Sequence, residues 1–485
     1  MKLNFRKGRK GKKKKTARQK TDRSILCLVY LVVFLFLCLI GYMGYFLVIP
    51  RENVINNPYN ARLDSFARTV ERGRILDKSG TVLAETRTGE DGKEKRVYPY
   101  GELFSHVVGY SVRGKTGLEA LGNFYLLTCH LNPVSQVTAR LAGTKNPGDQ
   151  IITSLDVRLQ QAAGGALGGR KGVVAAMEPS TGRILAMVSN PGFDPNTVLE
   201  AWDTITADGD GQARLVNRAS QGLYPPGSVF KIVMVLEYIR EHPDDYEEFR
   251  FDCDGYFERG EYTIQCYHGN AHGSQNLSQA FANSCNGAFA AMGLEMDMQA
   301  LAETAGELLF NRDQPVSLAY SQSRFLMGEE AGEWEILQTS IGQGATQMTP
   351  LHCLMITAAI ANEGVLMQPY LIDRVENAAG ETVKRFAPAA WGNMTSREEA
   401  KILTEMMEGV VAEGTGSAVR GAAYRAAAKT GSAQFETGKE SHAWFTGFAP
   451  ADDPKIAVTV IVEEGGSGGQ AAGPVARAVF DAYLN

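Results

Sequence analysis

A serine and a lysine three residues apart are the side chains of this sequence best suited to covalent chemistry. Ser228 and Lys231 lie in the stretch YPPGSVFKIV, which begins at Tyr224. Because the preceding Pro-Pro-Gly cannot continue a helix, a helix is predicted to begin near Ser228. Residues at positions i and i+3 share a helix face, so the Lys231 amine is predicted to lie within reach of the Ser228 hydroxyl.

This pair has the properties of a nucleophile and its base. A serine becomes a good nucleophile when a neighbouring base takes its proton. Lysine is a base only when neutral, and burial or a second cation nearby would lower its pKa. A helix N-terminus also offers backbone N–H groups to a developing oxyanion. The alternative is that Ser228 is an ordinary helix cap, because Ser-x-x-Lys occurs by chance about once in a chain of this length.

Two further motifs contain side chains for the other tasks of serine catalysis, which are proton transfer and substrate binding. They are the tripeptide Ser284-Cys285-Asn286 and the tetrapeptide Lys429-Thr430-Gly431-Ser432. The tripeptide offers a proton shuttle and an amide that can hydrogen-bond a substrate. The tetrapeptide offers a cation for a substrate carboxylate. Its glycine leaves the strand edge without a side chain, so that a substrate backbone can lie against it.

In this order the three motifs resemble those of the penicillin-binding proteins and serine β-lactamases, which are Ser-x-x-Lys, Ser-x-Asn and Lys-Thr-Gly. The segments TSIGQGATQMTPLH (339–352) and HAWFTGFAP (442–450) also look like this family. Upstream, RGRILDKSGTVLAE (72–85) and GLEAL (117–121) resemble the pedestal of the class B, monofunctional branch. Mild departures occur at Ala428 and Ser432, where relatives often have Gly and Thr.

The resemblance implies a peptidoglycan D,D-transpeptidase that acts on peptide stems ending in D-Ala-D-Ala. An amine on a neighbouring stem would resolve the acyl-enzyme, and β-lactams would trap it. The implied partner is a polytopic membrane polymerase of glycan strands, and no cofactor or metal is implied. A D,D-carboxypeptidase or β-lactam sensor of the same fold stays open, as does a non-catalytic scaffold of the wall-synthesis complex.

The resemblance also implies a role for each motif residue. Ser228 would attack the penultimate D-Ala carbonyl, with Lys231 as the base. Ser284 would pass a proton to the leaving amine, and Asn286 would hold the substrate amide. The strand edge would bind the terminal carboxylate through Lys429, Thr430 and Ser432. The backbone N–H groups of Ser228 and Ser432 would form the oxyanion hole.

An α+β fold is predicted to position these residues. Two strand-like runs before the serine and three after the helical stretch 220–420 predict one mostly antiparallel sheet flanked by helices. The resemblance implies a penicillin-binding, serine β-lactamase-like transpeptidase domain over residues 151–485. Residues 50–150, the pedestal segment, are expected to form an elongated, β-rich and dimerisation-like domain. Within it, Lys78-Ser79-Gly80 is predicted to be a hairpin turn.

The N-terminus predicts a membrane anchor. Residues 1–23 carry twelve Lys or Arg and one acid, whereas Ile25–Ile49 contain no charge. A membrane-spanning helix needs about 20 apolar residues, and no small-residue cleavage site follows. We therefore expect a basic cytoplasmic tail (1–23), an uncleaved transmembrane helix (24–49) and an exported remainder. The tail is expected to face anionic lipid, and no nucleic-acid partner is expected.

Export gives the cysteines three possible states. A Cys253–Cys266 disulfide would suit an oxidising compartment, and free thiols are the second possibility. The third is a metal site, because His268 and His272 follow Cys266, although zinc sites usually have closer cysteine spacing. Cys285 has no obvious mate.

Two decoy motifs compete with this interpretation. Ser274-Gln275-Asn276 is also Ser-x-Asn, but it precedes the amphipathic run LSQAFA, whereas in the family the motif follows that run. GYSVRGKT (109–116) matches the P-loop pattern and contains Lys115. We favour Ser284 over Ser274. We expect Lys115 to be a solvated lysine in a turn, because the surroundings lack the strand–helix units of a nucleotide-binding sheet.

Overall fold

The computed structural model describes residues 17–48, 66–207, 212–328, 331–436 and 438–485. Most of the predicted basic tail, and the segment just after the apolar run, lie outside the described residues. The chain divides into two compact units, Met1–Asn60 and Ala61–Asn485. Each unit is described by itself.

The first unit contains one long helix, α1, over Ala17–Val48. Its segment Ile25–Tyr45 is long and apolar enough to cross a membrane, and its side chains are exposed. The predicted apolar helix is therefore present. It begins in the basic region, several residues before the predicted start at residue 24.

The second unit alternates short strands with helices. Its strands are β1 Val70–Glu71, β2 Ile75–Leu76, β3 Val82–Thr88, β4 Glu94–Val97, β5 Asn146–Pro147, β6 Gln150–Thr153, β7 Gly172–Met177, β8 Ile184–Asn190, β9 Arg250–Cys253, β10 Tyr256–Arg259, β11 Tyr262–Gln265, β12 Gly273–Asn276, β13 Val365–Met367, β14 Ile372–Glu376, β15 Thr382–Arg385, β16 Ala390–Asn393, β17 Ala427–Ala433, β18 His442–Ala449 and β19 Ile456–Val462. Its α-helices are α2 Ser105–Val108, α3 Gly117–Leu121, α4 Asn123–Leu126, α5 Pro133–Leu141, α6 Val157–Leu167, α7 Trp202–Thr206, α8 Arg218–Gln221, α9 Lys231–Glu241, α10 Leu277–Ala282, α11 Asn286–Glu295, α12 Met298–Glu307, α13 Glu333–Ser340, α14 Pro350–Ala361, α15 Arg397–Ala412 and α16 Gly473–Leu484.

A five-stranded sheet forms the centre of this unit. Its strand order is β17-β18-β19-β7-β8, and every neighbouring pair is antiparallel. The prediction that two early and three late strands meet in one antiparallel sheet is confirmed. Strands β7 and β19 read as nearly continuous apolar runs because both of their faces are buried.

The two faces of this sheet pack against different helices. Val173 and Ala175 of β7 face the core that contains α9 and α14. The alternate residues Val174 and Ala176 face the core that contains α6 and α16. Because side chains alternate along a strand, the sheet is enclosed by helices on both sides.

The middle of the chain holds more strand than predicted. Residues 220–420 were expected to be mostly helical, yet eight strands, β9 to β16, lie there. Six of them form two-stranded sheets, in which β9 pairs with β12, β10 with β11, and β13 with β16. The reason lies in the local sequence 253–266, where Gly255 and Gly260 adopt positive φ angles of 101° and 61°. Gly260 forms the turn of the β10–β11 hairpin, and Gly255 turns the chain from β9, which pairs with β12, into β10. Such short strands carry no helical apolar period.

The pedestal segment contributes to a second sheet, with the strand order β15-β14-β6-β2-β3-β4. The predicted turn at Lys78–Gly80 is confirmed, because Asp77 Oδ1 accepts hydrogen bonds from the backbone N–H groups of Ser79 and Thr81. Strand β6 runs across the predicted boundary between residues 150 and 151. Strands β14 and β15 join this sheet from far downstream. Four short helices, α2–α5, accompany the pedestal strands.

The P-loop-like stretch has the wrong surroundings for a nucleotide. A helix, α2, precedes it, whereas a P-loop follows a strand. Gly109 has φ 81°, and a Cβ there would lie 2.1 Å from the Thr116 carbonyl oxygen, so the loop is closed by its own backbone. Lys115 is half-buried rather than fully solvated. That corrects the prediction for its side chain.

Candidate active site

A groove of about 830 Å³ opens beside the start of the serine helix. Six of the predicted site residues line it: Ser228, Ser284, Asn286, Thr430, Gly431 and Ser432. The other two, Lys231 and Lys429, are fully buried at 0% exposure. The structure therefore brings together all three motifs, which are spread over residues 228–432 of the chain.

Ser228 lies in a tight turn at the head of α9. The 3₁₀ turn Gly227–Phe230 leads directly into the helix, close to the predicted start. Gly227 has φ 54° and donates its N–H to the Gly342 carbonyl over 2.8 Å. A Cβ on Gly342 would lie 1.9 Å from the Gly227 carbonyl oxygen, so glycine is required there. The segment around Gly342 thus supports the serine turn from outside the helix.

Lys231 reaches from α9 to the second motif. Its ammonium donates to the Ser284 carbonyl oxygen at 2.8 Å, to Ser284 Oγ at 3.3 Å and to Asn286 Oδ1 at 2.8 Å. Its Nζ also lies 5.0 Å from the centre of the Phe289 ring. Burial lowers the pKa of Lys231 to about 8. About one tenth of the Lys231 amine is therefore neutral at pH 7, compared with less than about one thousandth at its ordinary pKa.

Lys429 reaches the same hydroxyl from strand β17. Its Nζ donates to Ser284 Oγ at 3.0 Å and to the Thr430 carbonyl at 2.9 Å. Burial, and then the charge of Lys231, lower the pKa of Lys429 well below its ordinary value. A hydroxyl has two acceptor lone pairs and one proton. With both lysines donating to it, Ser284 can direct its own proton into the groove.

Local backbone geometry fixes the second motif. Ser284 has φ 55°, and Cys285 caps α11 by accepting the Ala288 N–H. Asn286 accepts from Lys231 and donates through Nδ2 to the Gln265 carbonyl at 2.9 Å. An amide nitrogen carries two protons. Asn286 therefore keeps one donor for a substrate.

The decoy Ser274-Gln275-Asn276 has a structural role. The Asn276 side chain accepts the Gln279 N–H, and the Gln279 side chain accepts the Asn276 N–H, forming a capping box at the start of α10. The two buried lysines contact Ser284 instead, as the choice between the two motifs anticipated.

The third motif lies on the outer edge of the central sheet. Among the described strands, β17 pairs only with β18. A Cβ at Gly431 would lie 3.3 Å from the Ser228 nitrogen, so the strand packs closely against the serine turn. Thr430 Oγ1 donates to Thr415 Oγ1 at 2.6 Å. An unpaired edge beside the serine can accept an extended peptide.

Sequence reasoning missed several supporting residues. The Tyr224 hydroxyl and the Arg218 guanidinium both bond to Glu463, at 2.8 and 2.9 Å. These bonds fix the segment that leads into the serine turn. Thr415 lies far from the motifs in sequence and gives no local signal. Gly342 lies inside the segment TSIGQGATQ, whose likeness to the family was its only signal.

The cysteines of the β9–β12 region lie close together but are not bonded to one another. The sulfurs of Cys253 and Cys266 are 3.7 Å apart, well beyond an S–S bond length of about 2.05 Å. The described cysteines are all free thiols, so of the three states considered from the sequence the Cys253–Cys266 disulfide is not formed in this structure. Cys285, for which the sequence indicated no partner, also lies in this cluster. Its sulfur lies 3.8 Å from that of Cys266.

Two family models match the chain. Residues 172–481 match the penicillin binding protein transpeptidase domain. Residues 72–151 match the penicillin binding protein A dimerisation domain.

Similar proteins agree over nearly the whole length. The chain is 32% identical to a peptidoglycan D,D-transpeptidase PbpA of Mycolicibacterium smegmatis, over 90% of this chain and 94% of the relative. It resembles the penicillin G acyl-enzyme complex of penicillin-binding protein A from M. tuberculosis, with TM-score 0.76 and 31% identity over 86% of this chain and all of that one. A D,D-transpeptidase domain from Eggerthella lenta gives TM-score 0.76 and 35% identity over 86% of this chain and 98% of that one.

Proposed function

The chain belongs to the penicillin-binding protein transpeptidase family, and we propose that Ser228 is its nucleophile. This membership confirms the family predicted from the sequence. The reaction is the cross-linking of peptidoglycan stem peptides through a serine acyl-enzyme, which β-lactams trap. One observation carries the assignment of residues. Two buried lysines converge on Ser284, in the wall of the groove that Ser228 also lines.

Acylation begins with the proton of Ser228. Neutral Lys231 accepts it while Ser228 Oγ bonds to the penultimate D-Ala carbonyl carbon. The carbonyl oxygen becomes an oxyanion facing the backbone N–H groups of Ser228 and Ser432. The intermediate collapses when the C–N bond breaks. The leaving amine then takes a proton from Ser284, which is replenished by a lysine donating to its oxygen.

Substrate binding uses the edge of β17. The hydroxyls of Thr430 and Ser432 line the groove and would contact the terminal carboxylate. Lys429 is buried behind them and would add positive charge without entering the groove. Asn286 would donate its spare amide proton to the substrate backbone. An amine of a second stem then attacks the ester and releases Ser228.

We also propose how the chain is placed in the cell. The helix α1 would anchor the protein in the cell membrane, with the twelve basic residues of 1–23 on the cytoplasmic side. The pedestal and transpeptidase domains, divided near residue 150, would then lie outside. A polytopic membrane polymerase would supply the glycan strands. The charge asymmetry of the N-terminus supports this orientation.

Labelling with a fluorescent penicillin tests the nucleophile. The full chain in detergent should form one covalent adduct, and mass mapping should locate it on Ser228. Ser228→Ala should lose the adduct completely, whereas Ser274→Ala, a change in the decoy motif, should keep it. An adduct that persists in Ser228→Ala would falsify the assignment. Release of D-Ala without cross-linking, when an acceptor stem is present, would favour a carboxypeptidase.

A further inference from the structure

Four metal-binding side chains meet beside the catalytic groove. The sulfurs of Cys253, Cys266 and Cys285 and a ring nitrogen of His272 all lie within 4.8 Å of one another. The three cysteines are 0–3% exposed, and His272 is half-buried. They come from four separate places: the end of β9, the residue after β11, the residue before β12 and the start of α11. Only the fold brings them together.

Their spacing fits tetrahedral coordination. Zinc binds sulfur at about 2.3 Å and imidazole nitrogen at about 2.0–2.1 Å, which at tetrahedral angles places two sulfurs about 3.8 Å apart and a sulfur and nitrogen about 3.6 Å apart. The observed separations are 3.7 Å for Cys253–Cys266, 3.8 Å for Cys266–Cys285 and 3.4 Å from Cys253 Sγ to His272 Nδ1. The remaining pairs lie within 4.8 Å of one another, so small shifts of the side chains would bring all four atoms to one ion.

We propose that Cys253, Cys266, His272 and Cys285 bind one Zn²⁺ ion as a closed structural site. Three thiolates and one imidazole favour zinc over the hard cations Mg²⁺ and Ca²⁺, which prefer oxygen ligands. The site uses one of the two histidines considered from the sequence. It replaces His268 with Cys285, and four protein ligands leave no open position for chemistry.

The surroundings of the sulfurs also suit thiolates. The Gly255 N–H points to Cys253 Sγ at 3.4 Å, and the Ala288 N–H points to Cys285 Sγ at 3.5 Å. Backbone donors of this kind stabilise and orient metal-bound ligands. Gly255 has φ 101°, and a Cβ there would lie 2.4 Å from the Gly269 carbonyl oxygen. The glycine therefore allows the tight turn that aims its N–H at the sulfur.

A metal accounts for this cluster better than a disulfide does. A disulfide between any two of the cysteines would leave the third thiol and His272 without a role. It would also require the sulfurs to approach to about 2.05 Å. One zinc ion uses all four groups, and three of their pairs already have nearly tetrahedral separations.

The site would position the second catalytic motif. Cys285 stands between Ser284 and Asn286, and the metal would tie it to the β9–β12 region. Asn286 is already bonded to the Gln265 carbonyl, next to the ligand Cys266. The ion would thus hold Ser284 in its left-handed conformation and Asn286 in its bond to Lys231. This positioning role rests on the proposed function, whereas metal binding itself does not.

Metal analysis of the full chain tests the site. Protein extracted in detergent without chelators should contain about one zinc per chain, or acquire it when reduced and reconstituted. X-ray absorption at the zinc edge should show three sulfurs at about 2.3 Å and one nitrogen at about 2.0 Å. This measurement needs no variant, so it does not depend on mutant folding.

Matched variants locate the ion. Cys285→Ser should lower the zinc content at least tenfold, whereas Cys129→Ser and His268→Ala should retain it. Less than about a tenth of a zinc per chain after reconstitution would overturn the site. So would an oxygen-rich zinc shell, or an intact mass showing a disulfide among these cysteines.

Acylation separates the two parts of the inference. Removing zinc with a chelator should slow penicillin acylation, and adding zinc back should restore the rate. An unchanged rate in the stripped protein would overturn the positioning role while leaving the site intact. If zinc binds as expected but no form of the protein reacts with penicillin, the proposed function fails instead.

Discussion

Two regions of this molecule bury charged side chains, and they treat them in opposite ways. In the pedestal, Glu119 is fully buried and accepts hydrogen bonds from Arg72 at 2.6 Å and Arg96 at 2.7 Å. The Tyr98 hydroxyl adds a third bond at 3.2 Å. Burial alone would raise the pKa of Glu119, but the two guanidiniums outweigh it and lower that pKa. The carboxylate is therefore ionised and matched.

In the catalytic groove, two lysines are equally buried but are not matched by a carboxylate among their described partners. Lys231 and Lys429 donate to neutral oxygens of Ser284, Asn286 and Thr430. Burial lowers both pKa values as a result.

The difference separates structural charge from reactive charge. A buried ion with opposite charges around it keeps its protonation state and contributes rigidity. A buried amine without such a partner has a lowered pKa, to about 8 for Lys231, and can therefore act as a general base. The same degree of burial thus stabilises the pedestal and activates the groove.

The largest change in rate is expected when the titrating base is replaced by a permanent cation. Lys231→Arg keeps the positive charge but cannot supply a neutral base, because guanidinium stays protonated. Penicillin acylation should fall by about 10²–10⁴-fold, the usual loss on removing a general base. Stopped-flow fluorescence with a labelled penicillin measures it. Near-normal acylation would assign the base to another residue.

The second catalytic-groove lysine, Lys429, can be compared with Lys115, the lysine of the other Lys-Thr-Gly sequence, in the pedestal. Lys429→Ala removes a donor to Ser284 and positive charge behind the carboxylate site, so acylation should be nearly abolished. Lys115→Ala alters the other Lys-Thr-Gly, which lies in the P-loop-like turn, and should leave the rate unchanged. Equal losses in both variants would mean that the pedestal turn acts on the groove.

The acidity of Lys231 predicts a pH profile. Its pKa is lowered to about 8, and only the neutral amine accepts a proton. The second-order acylation rate should therefore rise as pH increases through about 8 and then level off. Between pH 7 and pH 9 the neutral fraction grows from about one tenth to about nine tenths, so an increase of nearly tenfold is expected. Lys231→Arg should lack this step, and a flat profile in the unmodified protein would contradict it.

Much of the catalytic groove could be predicted because its reactive residues lie in short sequence motifs. Pro-Pro-Gly marks the helix start, so Ser228 lies in the turn before α9 and Lys231 begins that helix. That the Lys231 amine reaches the Ser228 hydroxyl stays a prediction, because the described bonds of Lys231 go to Ser284 and Asn286. The strand of Lys429 was recognisable from its apolar flanks. These features depend on neighbours in sequence, so local reasoning was sufficient for them.

Contacts between distant segments were not predictable in this way. The meeting of Cys253 with Cys285 depends on how the β9–β12 region folds against α11, and that region was expected to be mostly helical. The bond of Tyr224 to Glu463 joins the serine turn to the end of β19. The Glu119 cluster likewise joins two segments that sequence reasoning noted only for their likeness to a family.

The smallest effect on acylation is expected in the pedestal, where charge is structural. Glu119→Gln keeps the shape of the side chain but leaves Arg72 and Arg96 without their carboxylate. Removing one partner of a buried ion pair costs about 3–5 kcal/mol. Glu94→Gln is the matched control, since Glu94 pairs with Lys145 at 2.8 Å and both side chains are about one-third exposed. Its loss should stay below about 1 kcal/mol. Denaturant unfolding of the full chain, followed by proteolysis, gives both values, and penicillin labelling of the protein that remains folded should be unchanged. A loss of acylation in folded Glu119→Gln would mean that the ion cluster also shapes the groove. Paired buried charge would then affect catalysis as well as stability, and the contrast between the two regions would fail.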